Sequence, residues 1–176
     1  MTRLVRVTEA LGPYADFSMV DDDVLQKAAQ RGTDTHRYCQ MIADGLWVNN
    51  IKTECQGPVQ SFKRWFDSMV DEVIATEVEL KDEALGFMGH IDLIARLRDT
   101  FTYVIDYKTP ITKGKLWEAQ LAGYEHLAKR KYQIKQSGSL QLHPDGGVPK
   151  MNWYTDNKEA FTAFLSAVNA YRHFKL

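Results

Sequence analysis

Apolar positions alternate with polar ones in the middle of the chain. Ile74, Thr76, Val78 and Leu80 recur at every second position with Glu77 and Glu79 between them, the signature of a half-exposed strand. Two denser apolar runs follow: Ile91, Leu93, Ile94 and Leu97, then Phe101, Tyr103, Val104 and Ile105. Both are rich in β-branched and aromatic residues, so they read as adjacent buried strands. The polar break Arg98-Asp99-Thr100 between them is of hairpin length. A second hairpin is predicted from Ser139 to His143 and Lys150 to Tyr154, closed by Pro144-Asp145-Gly146-Gly147.

The period changes to that of helices on either side. Asp21-Asp22-Asp23 offers an N-cap and a favourable charge for a helix carrying Val24, Leu25, Ala28 and Ala29. Gly32-Thr33 is expected to interrupt it, with a second segment from Asp34 to Ala43 and apolar positions at Tyr38, Met41, Ile42 and Leu46. Gly57-Pro58 is expected to open a third helix, since proline suits an early helical position. Its face is Phe62, Trp65, Phe66, Met69, Val70 and Val73. Leu116 to Tyr132 and Asn157 to Phe174 are the remaining helices. The latter carries Ala160, Phe161, Phe164, Leu165, Val168 and Tyr171 inward. Leu4 to Val7 fits a short strand or an arm. Helices, strands, helix, hairpin and helix in that order imply an α/β or α+β fold with one central mixed sheet flanked by helices, as a single domain over 1–176.

Composition narrows the classes. The 176 residues suffice for one domain with a proper core, and 44% hydrophobic with 26% charged residues is ordinary for a globular chain. No apolar run approaches the ~20 residues of a membrane span, and the N-terminal stretch lacks a secretory core. Cys39 and Cys55 form no metal-type pair and suit a reduced cytoplasmic chain. A net charge of −1 means that nucleic-acid binding would need a local patch.

The chemistry lies in the central hairpin. Each dense run contains an acid, Asp92 and Asp106, and Lys108 follows two residues after the second. Residues two apart on a strand share a face, so Asp106 and Lys108 point together. In a simple hairpin register Asp92 is their neighbour. Two close carboxylates repel unless a cation lies between them, and such an oxygen site suits Mg²⁺ or Mn²⁺. The alternative is a pair of solvated acids on hairpin ends. Gln120 and Tyr124 stack at i and i+4 on the helix that follows. Gln120 would either bond a backbone group in the core or reach the lysine or a phosphate oxygen. His36 is a capping residue unless its helix packs over the acids. Glu77 and Glu79 are a solvated face or reach the metal through water. Lys129-Arg130-Lys131 suits a helix C-terminus, but with Lys113 and Lys115 it would make a phosphate track.

Gly89-His90-Ile91-Asp92, Asp106-Tyr107-Lys108 and Gln120 to Tyr124 resemble the G-x-x-D, D/E-x-K and Q-x-x-x-Y elements of the PD-(D/E)XK nuclease superfamily, in particular its RecB-like exonuclease branch. Gly32-Thr33-Asp34-Thr35-His36 resembles that branch's upstream G-T-x-x-H element. The flanks look like phage or mitochondrial genome-maintenance exonucleases. Ile91, rather than proline, precedes Asp92. The resemblance implies a restriction-endonuclease-like core and a metal-dependent DNA exonuclease of recombination, replication or repair. Asp92, Asp106, the Tyr107 carbonyl and His36 would hold Mg²⁺ or Mn²⁺. Lys108 would orient or help deprotonate the attacking water, Gln120 and Tyr124 would steady Lys108 and the DNA backbone, and Glu77, ahead of Glu79, would act from the outer sphere. Lys113, Lys115, Lys129, Arg130 and Lys131 would meet DNA. The four-cysteine cluster of related nucleases is absent, so no iron–sulfur centre is expected. Linear DNA ends, a single-strand-binding or annealing protein and a ring-forming homo-oligomer are the partners it allows, in the cytoplasm (the host's, for a virus). A structure-selective or site-specific endonuclease, or a non-catalytic nucleic-acid-binding module, would share most of the same residues.

Overall fold

The computed structural model describes residues 3–110 and 112–175. The elements run β1 (Val5–Arg6), α1 (Val7–Leu11), a 3₁₀ turn (Gly12–Tyr14), α2 (Asp22–Ala43), α3 (Thr53–Met69), β2 (Val70–Asp82), β3 (Phe87–Leu97), β4 (Thr102–Lys108), α4 (Trp117–Lys129), β5 (Gln136–Gln141), β6 (Lys150–Tyr154) and α5 (Lys158–Lys175). One mixed six-stranded sheet carries them, in the order β1-β3-β4-β5-β6, with β2 on the other edge of β3. Helices cover both faces. On one face α1, α4 and α5 pack through Leu11, Leu121, Leu127, Phe164 and Val168. On the other, α2 and α3 pack through Cys39, Ala43, Phe62 and Trp65. Both cysteines are free and buried. Among the described residues no helix is long and apolar enough to cross a membrane.

Both hairpins form. β3 pairs antiparallel with β4, Leu93 opposite Ile105. β5 pairs antiparallel with β6, Leu140 opposite Met151. Phe101 falls outside β4 and is half exposed, because the turn after Leu97 takes it in. Ile111, in the loop expected after Lys108, lies outside the described residues.

Three helix boundaries differ from the sequence reading. Gly32-Thr33 does not interrupt: α2 is one helix from Asp22 to Ala43, capped by the Asp21 carboxylate, which accepts from the Asp23 N–H. A helical glycine costs only about 1 kcal/mol, and burial of Thr35, Cys39 and Ala43 at four-residue spacing outweighs it. The inner face is thus Cys39 and Ala43; Leu46 lies beyond the helix and is exposed. His36 is consequently mid-helix, not in a first turn. Likewise α3 opens at Thr53 rather than at Gly57-Pro58. Gly57 answers a different demand: a Cβ there would sit 1.6 Å from the Pro144 carbonyl oxygen in the β5–β6 loop. Gly57→Ala is therefore expected to overpack this contact and lower Tm by roughly 3–10 °C in a thermal melt. Finally, α3 ends at Met69, and Val70 and Val73 belong to β2, where they still pack on the α2–α3 layer. The N-terminal stretch is a strand followed by a helix, β1 pairing in parallel with Phe87 and Met88.

Alternation in β2 breaks more than once: its register against β3 shifts between Val70 and Glu72 and between Val73 and Ala75, and a further slip lies beyond Ala75. In β2, Ala75, Val78 and Leu80 all pack with the α4–α5 layer, although Ala75 and Val78 are of opposite parity. In β3, Ile91 and Ile94 share that layer while Leu93 and Ala95 face the other. Regular alternation forbids both patterns. Each strand therefore slips its side chains by one, at Thr76–Glu77 in β2 and at Asp92–Leu93 in β3. These residues lie opposite each other in the register, Thr76 facing Leu93. Glu77 supplies the twist with φ 44°, a conformation costly for a residue with a side chain.

Candidate active site

The free stretch of one strand edge defines the site. β3 gives one end of that edge to β1, at Phe87 and Met88, and the other to β4, at Leu93 to Arg96. The residues between, Gly89 to Asp92, have no ladder partner on that side. Asp92 fills the gap with its own side chain: its Oδ2 accepts the Tyr107 N–H at 2.7 Å and meets His36 Nδ1 at 3.3 Å. Gly89 belongs to the same opening. A Cβ there would lie 2.7 Å from the Tyr124 ring, so the glycine makes room for α4 to press its tyrosine against the strand.

Asp92 joins two groups of residues. On the α2 face stand His36 and Glu77; with Asp92, they bring one donor atom each to within 4.8 Å of one another. The His36 ring also meets the buried Tyr107 ring edge-on at 5.5 Å. On the α4 face stand Asp106, Lys108, Gln120 and Tyr124. Lys108 Nζ lies 2.6 Å from Asp106 Oδ2 and donates to Gln120 Oε1 at 2.8 Å. The Gln120 amide donates to Asp106 Oδ1 at 3.3 Å and to the Tyr124 hydroxyl at 3.1 Å. Every polar atom of Gln120 is therefore used, and a glutamate there would lack both donors. Of the uses foreseen for Gln120, the structure has the one that reaches the lysine.

The electrostatics follow from crowding. Asp92 and Asp106 are 7% and 2% exposed. Burial pushes Asp92 up, but His36, the Tyr107 N–H and Lys108 outweigh it and hold it below the usual carboxylate range. Burial and the Asp92 charge push Asp106 up further than Lys108 pulls it down. Burial, then Asp92, raise Glu77 to about 7. Burial lowers His36, yet Asp92 overcomes this and raises it to about 9. Three carboxylates are thus gathered beside one imidazole and one lysine. The lysine leaves Asp106 Oδ2 without a directed hydrogen bond, though that oxygen is buried. Clustered carboxylate donors and one imidazole nitrogen fit a hard divalent cation. Binding it would displace a proton from His36.

Glu77→Gln is a direct check on this crowding. An acid whose folded value is raised opposes folding once it ionises, so its penalty is absent below about pH 4 and grows through about 7. The variant is expected to melt higher than the native protein when metal-free at pH 8, with no difference at pH 4. The gain in Tm on adding a divalent ion should shrink.

The other sequence candidates divide. Asp106 does not join the donor trio among the described residues; its carboxylate is turned to Lys108 and Gln120, and Glu77 takes the place beside His36 and Asp92. Glu79 is outside the site, half exposed and 3.3 Å from His90. Lys129 and Arg130 are committed to Glu125 and Asp82, at 2.6 and 2.7 Å. They lie at the far end of α4, about 14 Å along the helix from Gln120. Lys131 lies over the Tyr132 ring at 5.4 Å. Lys113 lies over the Tyr154 ring at 4.7 Å, and Lys115 is exposed on the loop that leads into α4. Sequence reading passed over Arg6, Arg37 and Gln40, which line the cleft. Helical spacing would have found the last, one turn beyond His36.

Comparison with known proteins gives one answer. No curated protein matches the chain. A family model of the PD-(D/E)XK nuclease superfamily matches residues 6–170, a span from β1 into α5 that includes every residue of the cleft. The chain belongs to the PD-(D/E)XK nuclease superfamily, which implies a metal-dependent nuclease acting on DNA.

Proposed function

We propose that this chain is a single-domain, Mg²⁺- or Mn²⁺-dependent exonuclease that hydrolyses phosphodiester bonds at DNA ends, of the RecB-like branch, working in the cytoplasm on phage-type recombination, replication or repair. One observation carries it: Asp106, Lys108 and Gln120 form a closed set of contacts beside Asp92. A module that only bound DNA would gain nothing from two repelling, buried carboxylates. His36, Glu77, Asp92, Asp106 and the Tyr107 carbonyl would hold the ion. The nitrogen donor makes Mn²⁺ a good substitute for Mg²⁺.

When bound, the ion lowers the pKa of a coordinated water and offsets charge on the phosphoryl oxygens. The chain's own groups do the positioning. Lys108, fixed by Asp106 and Gln120, points its ammonium at the attacking water and at the negative charge that builds on phosphorus. Tyr124 fixes Gln120 in turn. Its phenol is held protonated by burial and by Asp106, so it stays a neutral partner across the working pH range. The attacking water releases one proton to solvent as its oxygen bonds to phosphorus, the bond to the 3′-oxygen breaks, and that oxygen takes a proton from solvent. The products are a 5′-phosphate and a 3′-hydroxyl. Lys113 and Lys115, on the loop before α4, would meet the incoming backbone; Lys129, Arg130 and Lys131 would contribute only at long range.

Linear and closed circular DNA supplied together with Mn²⁺ test the reading. Linear DNA should disappear from its ends while circles persist. Nicked or linearised circles would instead assign an endonuclease, and intact DNA of both kinds would leave a binding module.

A further inference from the structure

The cleft has two arms that meet at His36 and Asp92. One arm, of about 390 Å³, is lined by Gly32, Thr33, Arg37, Gln40 and Glu77. The other, of about 320 Å³, runs past Asp106, Lys108 and Tyr124 to Arg6 and Thr8. Each arm therefore holds one arginine, and in each case the nearby acid is already taken. Glu9 gives one carboxylate oxygen to the Arg3 guanidinium at 2.6 Å and the other to the Arg6 backbone N–H at 3.1 Å. Asp34, on the α2 turn before Arg37, is held by Lys52 at 2.6 Å. Neither guanidinium forms an ion pair with a carboxylate among the described residues, and both are exposed. Arg6 lies beside Met88, four residues before Asp92 on β3, which puts its Cα about 13 Å from the acid. Arg37 follows His36 on α2 and lines the other arm.

We propose that one DNA strand lies across both arms with the scissile phosphate at Asp92, and that Arg37 and Arg6 hold backbone phosphates on opposite sides of it. This rests on the nuclease reading and adds to it the path of the strand. The charge pattern supports it. The junction is acidic and accepts a phosphate only with a cation present, whereas the outer ends of the arms are cationic and accept phosphates without one. Both arginines are positioning residues, so losing either weakens binding while leaving the chemistry intact.

Arg6→Gln and Arg37→Gln test this with a short single-stranded oligonucleotide. In the same strand, one phosphate at a time on either side of the cleavage point is replaced by a neutral methylphosphonate. Each variant is expected to raise KM about tenfold, with kcat within about twofold of native, and to lower the salt slope of binding by about one. In Arg6→Gln the penalty for a neutral phosphate should vanish on one side of the cleavage point only. In Arg37→Gln it should vanish on the other side only. Loss of the same penalty in both variants, loss in neither, or a fall in kcat at unchanged KM would overturn the proposal. The series is also read as binding in Ca²⁺. If the native protein leaves DNA uncleaved, the nuclease reading fails by itself, and the two side-specific penalties are still scored from affinity.

Discussion

Asp106→Asn is expected to lower cleavage of linear DNA by at least about 10³-fold while the protein stays folded. The substitution keeps the shape of the side chain and an oxygen for the Gln120 amide, now at 3.3 Å. It removes the charge that anchors Lys108 at 2.6 Å and a donor for the cation. A factor of 10³ corresponds to about 4 kcal/mol of transition-state stabilisation, within what one preorganised charge supplies in a dry site. Asp106 is almost wholly buried next to Asp92, and burial and that neighbour already disfavour its charge. The metal-free variant should therefore melt no lower than the native protein. Lys108→Ala should lose about 10²–10⁴-fold by removing the group that orients water. Gel assays of end degradation with Mn²⁺, alongside thermal melts, check both. Cleavage that survives in folded protein of both kinds would remove Asp106 and Lys108 from the chemistry.

Asp82→Ala is expected to be the most damaging change outside the cleft. Asp82 ends β2 and is 1% exposed. Its Oδ2 meets His126 Nε2 at 2.9 Å and Arg130 at 2.7 Å, and its Oδ1 accepts the Leu85 N–H at 3.0 Å. It thereby ties the C-terminal end of α4 to the β2–β3 turn, and the Phe161 ring of α5 stacks on His126 at 4.6 Å. Removing one partner of a buried pair costs about 3–5 kcal/mol, which for a chain of this size lowers Tm by roughly 6–20 °C. Burial pushes this carboxyl up, but His126, the Leu85 N–H and Arg130 outweigh it and hold it below the usual range. A lowered acid stabilises the fold above its unfolded value near 4, and that stability is lost as pH falls further. Asp82→Asn should share the loss near neutrality and flatten the acid end of the stability curve. Urea melts from pH 3 to 7 check it. Specific activity per folded molecule should be unchanged, because Asp82 touches no residue of the cleft.

The central hairpin was legible because strand periodicity is local. Asp106, Tyr107 and Lys108 alternate about a strand, so the lysine and the acid had to share a face. The same holds for Gln120 and Tyr124 one helical turn apart. Helix ends were less legible, since glycine and proline carry several meanings. Gly57 reads as a helix start but is present because the Pro144 loop passes over it. Gly32 reads as a break, yet its helix runs on into the buried face of Thr35, Cys39 and Ala43. The basic run at the end of α4 reads as a phosphate track, yet two of its cations serve Glu125 and Asp82, residues whose nearness depends on packing.

The sequence alone determined the alternation of strand and helix, the pairing of Asp106 with Lys108, and membership of a nuclease family, because each depends on residues within one or two turns or on motifs kept in order. Only the tertiary structure decided which residues surround Asp92. Glu77 comes to the site through a backbone twist that slips β2 and β3 together, and Arg6 comes through the parallel pairing of β1. The parallel pairing joins segments some eighty residues apart, the slip depends on two strands breaking alternation opposite each other, and no local pattern of apolar and polar positions encodes either.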